Sequence, residues 1–543
     1  MSVSFELNGS PVTVEHDDAV PMSLLDALRG QCAVSSVKDG CAPQGQCGCC
    51  TVLVDDKARV ACVTPLRRVQ GRSVRTVEGL DADVAELWAD SFTRHGASQC
   101  GFCTPGIVLR LEDRRLRGPV AGDVGVSIDR ALAAHLCRCT GWQGIVEAAH
   151  EVLDGDTDTV ASAVRVRPRP AEAGAAQRAT IETGGPQRVE GSVVLGGGGF
   201  AADTAPTDAL VALVGADGAW VVGESVAEAR ALTAKVQGRR TTAAAAAPVS
   251  MPPGEWVAGL STSWVEPGYL EADASWCEPG GEPASPLANG GAFGAKVDSP
   301  LASEARRLAD EHGRTVLAMW SREDCVRMGP KRPPVAGGIR SDGTGVLRSV
   351  RTPGIVEAVG LAAPGLEVEQ VEVAGPPTST AVRASGWAEA LCLMVAADLP
   401  SPLGGRDGHG VRVQAPGAGW ARVDVVDDGI DVVVGPGEPL DEAVLRSYVI
   451  GACHMAAGWV TSEGLHVDAD GDVHDLTIRS FGVLPSAAMP IVSVRIDPEG
   501  GRGAPVAVGD AVFAAAAGAL WWHHGFPARW PTGGPVTRPP RRP

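Results

Sequence analysis

The stretch GCAPQGQCGCCTVLV, residues 40–54, sets Cys41, Cys47, Cys49 and Cys50 on one short loop that runs into a strand-like Thr-Val-Leu-Val, and Cys62 follows beyond it. Gly45 and Gly48 allow such a loop to wrap an inorganic core and turn amide N–H groups toward its sulfurs. A second set lies in QCGFCTPG (99–106) and LCRCTGWQ (136–143), a C-x2-C pair and a C-x-C pair separated by 33 residues. Ten of the fourteen cysteines therefore precede residue 140. In a reducing compartment such clustering points to metal binding rather than to disulfides.

A plant-type [2Fe–2S] site needs four thiolates, commonly C-x4-C-x2-C on a tight loop and a fourth cysteine beyond a strand. Here five residues separate Cys41 from Cys47. Counting back from Cys50-Thr51-Val52 gives Cys41, Cys47, Cys50 and Cys62 as the expected ligands. Cys49 is then a spare thiol where the common pattern has a small residue. The alternative for this loop is a structural zinc site or free thiols. The second set, each pair at a helix junction, can close round one small centre, and taken alone it suits zinc as well.

Working outward, Val3, Phe5 and Leu7 alternate up to Asn8-Gly9, and Val12 and Val14 resume the alternation, which predicts a β-hairpin. Ser23-Leu-Leu-Asp26 predicts a capped short helix. Residues 1–78 thus read as a β-grasp, ferredoxin-like domain. From Val84 the apolar period lengthens, with helices expected near 84–97, 104–118, 128–136 and 141–154, the last opened by a Thr140–Gln143 capping box. Residues 79–155 therefore read as a small helical bundle. Residues 156–184 lack periodicity and read as a linker. A glycine-rich α/β region of many short strands follows over 185–530, and 531–543 reads as a disordered Pro/Arg tail. The whole is a multi-domain α+β chain, as its 543 residues require.

The formal charge of −18 argues against nucleic acid as a partner. The first residues lack a signal-peptide pattern, and the most apolar stretch, residues 511–522, is too short to span a bilayer. The expected home is the cytoplasm. Cys277, Cys325, Cys392 and Cys453 are scattered and read as core residues, and His454, His523 and His524 show no metal spacing.

With both cysteine sets in view, residues 1–155 resemble the two-cluster domain pair of the molybdenum hydroxylases, the xanthine dehydrogenase and carbon monoxide dehydrogenase family. The resemblance implies two [2Fe–2S] clusters. The one on Cys100, Cys103, Cys137 and Cys139 would face molybdopterin, and the β-grasp one would pass electrons to FAD. It also implies that Gln99 hydrogen-bonds a partner's pterin ring. Further on, Gly290–Lys296 (GGAFGAK) resembles the family's GGGFGGK loop, 321–324 with 331–333 its SREE…GKRHP stretch, and 382–386 (VRASG) its YRAPG segment. The family's catalytic glutamate sits in a GVGEPP-like motif and acts as general base. The matching stretch here is taken as Gly501–Pro505, which puts Ala504 at the glutamate's place. Only 67 positions separate Arg383 from Ile450, where active members carry hundreds, and no pterin-cradling Gln-Gly-x-Gly-Gln loop is present. Two other Gly-Glu-Pro triplets, at Glu282 and Glu438, read as surface turns.

The region 185–530 therefore reads as a shortened, non-catalytic relative of the molybdopterin domain, since function must be argued from the site rather than the fold. The resulting expectation is the iron–sulfur electron-transfer subunit of a multi-subunit molybdenum hydroxylase, with molybdopterin-binding and FAD-binding subunits as partners. Two alternatives remain: a self-contained minimal molybdopterin hydroxylase, and a non-enzymatic redox-sensing or assembly protein.

Overall fold

The computed structural model describes residues 2–17, 20–119, 123–154, 172–235, 241–290, 292–427 and 429–536. Strands β1 (Ser2–Leu7) and β2 (Ser10–Glu15) pair antiparallel across the Asn8-Gly9 turn, whose residues take φ of 51° and 83°. Helix α1 (Leu24–Gly30) opens with a complete capping box between Ser23 and Asp26. With β3 (Thr51–Val54), β4 (Lys57–Val60) and β5 (Ser73–Arg75) the sheet order is β2-β1-β5-β3-β4. Its core is the alternating Val3, Phe5 and Leu7 face packed on Leu24, Leu25 and Leu28.

Four helices follow: α2 (Ala82–Arg94), α3 (Thr104–Leu116), α4 (Val124–Leu132) and α5 (Gln143–Asp154). Trp88, Phe92, Ile107, Leu111 and Trp142 fill the space between them. The expected Thr140–Gln143 capping box takes a different form. Thr140 Oγ1 accepts from Trp142 N–H, and the Gln143 side chain reaches instead to the backbone of Val492.

The expected linker needs correction. Residues 156–171 lie outside the described residues, but Glu172–Thr183 is a helix. Its buried face is Ala175 and Ala179 against Val444 and Tyr448. It also buries Arg178, which pairs with Glu182 and donates to the carbonyls of Pro439, Glu438 and Val506. A face of alanine and a satisfied arginine gives no hydrophobic period to read. The tail is corrected in part: Thr532 and Gly533 bond to the backbone of Val460 and Thr461, and Val536 is buried, while 537–543 lie outside the described residues.

The remainder builds three sheets. One has the order β7-β6-β10-β9 (Trp220–Gly223, Leu210–Val214, Val316–Met319, Ala274–Cys277). The next is β13-β12-β11-β8 (Leu366–Val371, Gly345–Val350, Val335–Ile339, Ala258–Ser261). The last is β14-β15-β16-β17-β18 (Gly404–Asp407, Gly410–Gln414, Trp420–Val426, Gly429–Gly435, Ile491–Ile496). Two apolar helices, Glu442–Thr461 and Gly509–His523, pack together in the largest core. The helical bundle does not stand apart, because its core runs on into Trp264, Leu270, Val326 and Leu465 of the later region.

Candidate iron–sulfur centres

The β-grasp loop gathers its thiols at the start of β3. Cys41 Sγ lies 3.2 Å from Cys47 Sγ, and the Cys62 thiol meets both Cys41 and Cys50. Gln46 and Cys47 N–H each donate to Cys41 Sγ at 3.3 Å, and Cys62 N–H donates to Cys50 Sγ at 3.4 Å. Amide donors aimed at sulfur are what a thiolate-held cluster uses to stabilise its charge. Gly45 and Gly48 have φ of 67° and 79°, the left-handed geometry the tight wrap requires. Cys49 is buried and touches Cys47, on the side toward Cys100 and Cys103.

In the helical domain Cys139 Sγ lies 3.6 Å from Cys100 Sγ, Cys103 meets Cys137, and Thr140 Oγ1 lies 3.1 Å from Cys137 Sγ. Among the described residues no three His, Cys, Asp or Glu side chains take a single-ion arrangement. The thiols meet instead as a run of contacts in the β-grasp loop and as two touching pairs in the helical domain.

Their acidities follow from that crowding. Thiol donation from Cys47 and Cys62 holds Cys41 well below the ordinary value, while Cys47 is pushed up by its contacts with Cys41 and Cys49. Donation from Cys103 brings Cys137 down to about 7, and Cys103 and Cys139 rise. Cys41 and Cys137 thus ionise most readily, and ionisation of Cys47, Cys62, Cys103 and Cys139 is opposed by burial and by the neighbouring thiols. A cationic iron pair removes that opposition, so the residues present fit a [2Fe–2S] group in both pockets.

The two loops interlock. Leu136 N–H donates to Cys47 O at 3.0 Å, so residues adjoining a thiol of each set share one hydrogen bond. A Cβ on Gly106 would stand 2.5 Å from Gly48 O and 2.9 Å from Cys49 O. His135 packs on Gly48, and burial, with Arg110 and Arg479 nearby, pushes its imidazole down to about 3, so it stays neutral.

Gln99 sits elsewhere than expected for contact with a partner. It is only 6% exposed, and its Nε2 donates to Cys139 O and Ser447 Oγ, both at 3.0 Å. The chain's own Glu442–Thr461 helix covers it, leaving no open face to a second subunit. Asn289 Nδ2 donates to Cys100 O at 2.7 Å from the same side. Sequence reasoning also missed Arg138, the residue between Cys137 and Cys139. Its guanidinium forms a two-pronged ion pair with buried Glu463 and donates to Pro267 O. The cue was an arginine inside a C-x-C pair, with no sequence-local partner to mark it.

In the later region Ala504 is exposed on the loop after β18. The structure brings three other residues together: Arg383 N–H donates to Phe293 O, its guanidinium lies over the Phe293 ring, and its Nε is 3.2 Å from Asp510 Oδ1. Asp510 follows Val508-Gly509 at the start of the Gly509–His523 helix. Glu282 and Glu438 are exposed at turns. Cys277, Cys325, Cys392 and Cys453 are buried and stand apart from the two sets, and burial pushes Cys325 and Cys453 up to about 12.

The buried thiols gathered on the β-grasp loop and in the helical bundle point to an iron–sulfur protein. The family described as "[2Fe-2S] binding domain" matches residues 76–150. The chain is 38% identical over 154 residues to the nicotine 6-hydroxylase small subunit of Paenarthrobacter nicotinovorans, covering 28% of this chain and 88% of that protein. It is 36% identical over 156 residues to the xanthine dehydrogenase iron-sulfur-binding subunit of Escherichia coli O157:H7, covering 28% and 93%. The fold resembles the aldehyde oxidoreductase of Desulfovibrio gigas with a TM-score of 0.67 at 14% identity, over 98% of this chain and 99% of that one. The chain belongs to the molybdenum hydroxylase family through its small-subunit iron–sulfur part. Among the described residues no helix is long and apolar enough to cross a membrane.

Proposed function

We propose that this chain is the cytoplasmic iron–sulfur electron-transfer component of a molybdenum hydroxylase, with Cys100, Cys103, Cys137 and Cys139 holding the entry cluster and Cys41, Cys47, Cys50 and Cys62 the exit cluster. The observation that carries it is the pair of buried thiol pockets joined through the Leu136–Cys47 hydrogen bond. A bound [2Fe–2S] cluster supplies reversible one-electron chemistry at each pocket. The chain's residues hold the thiolates, exclude water and fix the spacing through Gly48 and Gly106. FAD or another acceptor, outside this chain, takes the electrons.

Where the molybdopterin sits divides two readings. A partner subunit would have to displace the Glu442–Thr461 helix to reach Gln99. The second reading, a molybdopterin within this chain, is favoured by the meeting of Phe293, Arg383 and Asp510. It is also favoured by two buried polar groups without partners among the described residues, the Tyr448 hydroxyl near Cys100 and the Gln187 amide beside Gly290. Iron, sulfide, molybdenum and pterin analysis of the purified chain tests both. About four irons and four sulfides per chain, with two paramagnetic resonance signals on reduction, are expected. Zinc in either pocket sinks the proposal, and stoichiometric pterin selects the second reading.

A further inference from the structure

A cleft runs along the seam between the β-grasp domain and the β7-β6-β10-β9 sheet. Its inner chamber, of about 80 Å³, is walled by Gly40, Cys41 and Gln44 on one side and by Met319, Trp320 and Arg322 on the other. An outer chamber of about 310 Å³ shares Asp39, Val226 and Met319 with it. A space of that size suits a small organic ligand. The cleft therefore reaches the edge of the exit cluster's own loop.

Arg322 is 2% exposed, and its Nε and Nη2 donate to Gly40 O and Leu270 O, but its Nη1 has no partner. Gln44 Oε1, on the facing wall, is buried and unpaired as well. The other charges of the cleft are matched: Arg230 with Asp26 and Asp39, Lys235 with Asp324, Arg29 with Asp203. A buried guanidinium N–H left unpaired is costly, and an acceptor oxygen satisfies it.

We propose that this cleft binds a flat, quinone-type dicarbonyl as a small-molecule electron acceptor, one carbonyl oxygen facing Arg322 and the ring against Met319 and Val226. The assignment rests on the reading of Cys41, Cys47, Cys50 and Cys62 as holders of the exit cluster. Two successive one-electron transfers from the reduced cluster convert the dicarbonyl to the dihydroxy form. The two protons come from solvent, and no bond to the protein forms. Arg322 acts as a positioning residue whose charge favours the oxygen that gains electron density.

The test uses the intact chain and 1,4-naphthoquinone-2-sulfonate. Equilibrium dialysis against the oxidised protein should show saturable binding. Val226→Trp, which fills the cleft from its half-buried rim, should weaken binding at least tenfold with unchanged iron content. Arg322→Gln should weaken it too, if that variant folds. After dithionite reduction, reoxidation by the quinone should saturate in the native chain and become slow and unsaturable in Val226→Trp, while ferricyanide reoxidises both equally. Unsaturable binding, or a Val226→Trp chain that binds like the native one, overturns the cleft. An iron-free chain that still binds the quinone overturns the cluster reading instead.

Discussion

Arg138 and Glu463 offer the sharpest test of how the cluster domains and the later sheets hold each other. Arg138 is 5% and Glu463 1% exposed at the side chain, and the guanidinium engages both carboxylate oxygens. Removing one member of such a pair leaves the other charge buried alone, which costs about 3–5 kcal/mol. At about 2.1 cal/mol/K per residue over 543 residues, Arg138→Met should therefore lower the melting temperature by about 3–5 °C at pH 8. Burial already raises the Glu463 carboxyl above its ordinary 4.5, and Arg138 opposes that rise. Without Arg138 it rises further. The unfolded carboxyl ionises near 4.5, so the folded variant loses about 1.4 kcal/mol per pH unit between that value and its own raised one. The deficit should then be smallest near pH 5 and grow toward pH 8. Arg138→Met with Glu463→Leu, an apolar replacement of the pair, should return to within about 1 kcal/mol of the native chain. Chaotrope unfolding followed by fluorescence, with iron content measured in parallel, gives the comparison. An Arg138→Met deficit that is absent at pH 8, or that does not shrink on acidification, refutes the argument.

Two further outcomes follow from the loops. Cys49→Ala should keep both paramagnetic signals while Cys50→Ala loses the β-grasp one, and the reverse result moves the ligand register by one residue. Gly106→Ala should destabilise by about 1–3 kcal/mol, because its Cβ would press on the immovable carbonyls of Gly48 and Cys49. Gly360→Ala, a helix position with open space around it, should stabilise by about 0.5–1 kcal/mol in the same chaotrope-unfolding assay.

The first 154 residues were legible because their signals are local. The Asn8-Gly9 turn, the Ser23 capping box and the 3.6-residue period of the bundle each act within a few residues. The cysteine spacing marked the two loops on which thiols meet, since thiols a few residues apart on a tight loop lie close together. The later half was legible only by its glycine-rich strands. The Glu172–Thr183 helix went unseen because alanine and a buried arginine face its neighbours. Gln99 was misplaced because nothing near residue 99 announces a covering helix 348 positions away at Ser447. The Arg138–Glu463 pair was missed for the same reason. Long-range burial leaves no local trace when the buried residue is polar.

That covering helix is built into the chain rather than laid against it. Gly96 and Gly141 on the bundle, and Gly451 on the helix, meet backbone so closely that a Cβ would stand 2.6 Å from Ala443 O, 2.7 Å from Ile450 O and 1.8 Å from Cys139 O. Glycines on both sides of the seam permit a backbone-to-backbone approach that side chains would forbid. Arg446 pairs with Glu147, and Trp142 Nε1 donates to Leu484 O, tying the same seam from either flank. A surface kept for a separate partner would carry polar groups satisfied by water when free. Here Ser447, Gln99 and Trp142 are satisfied only by one another and by this chain's backbone. The Cys139 side of the bundle is therefore covered from within the chain, by backbone and side chains of the Glu442–Thr461 helix.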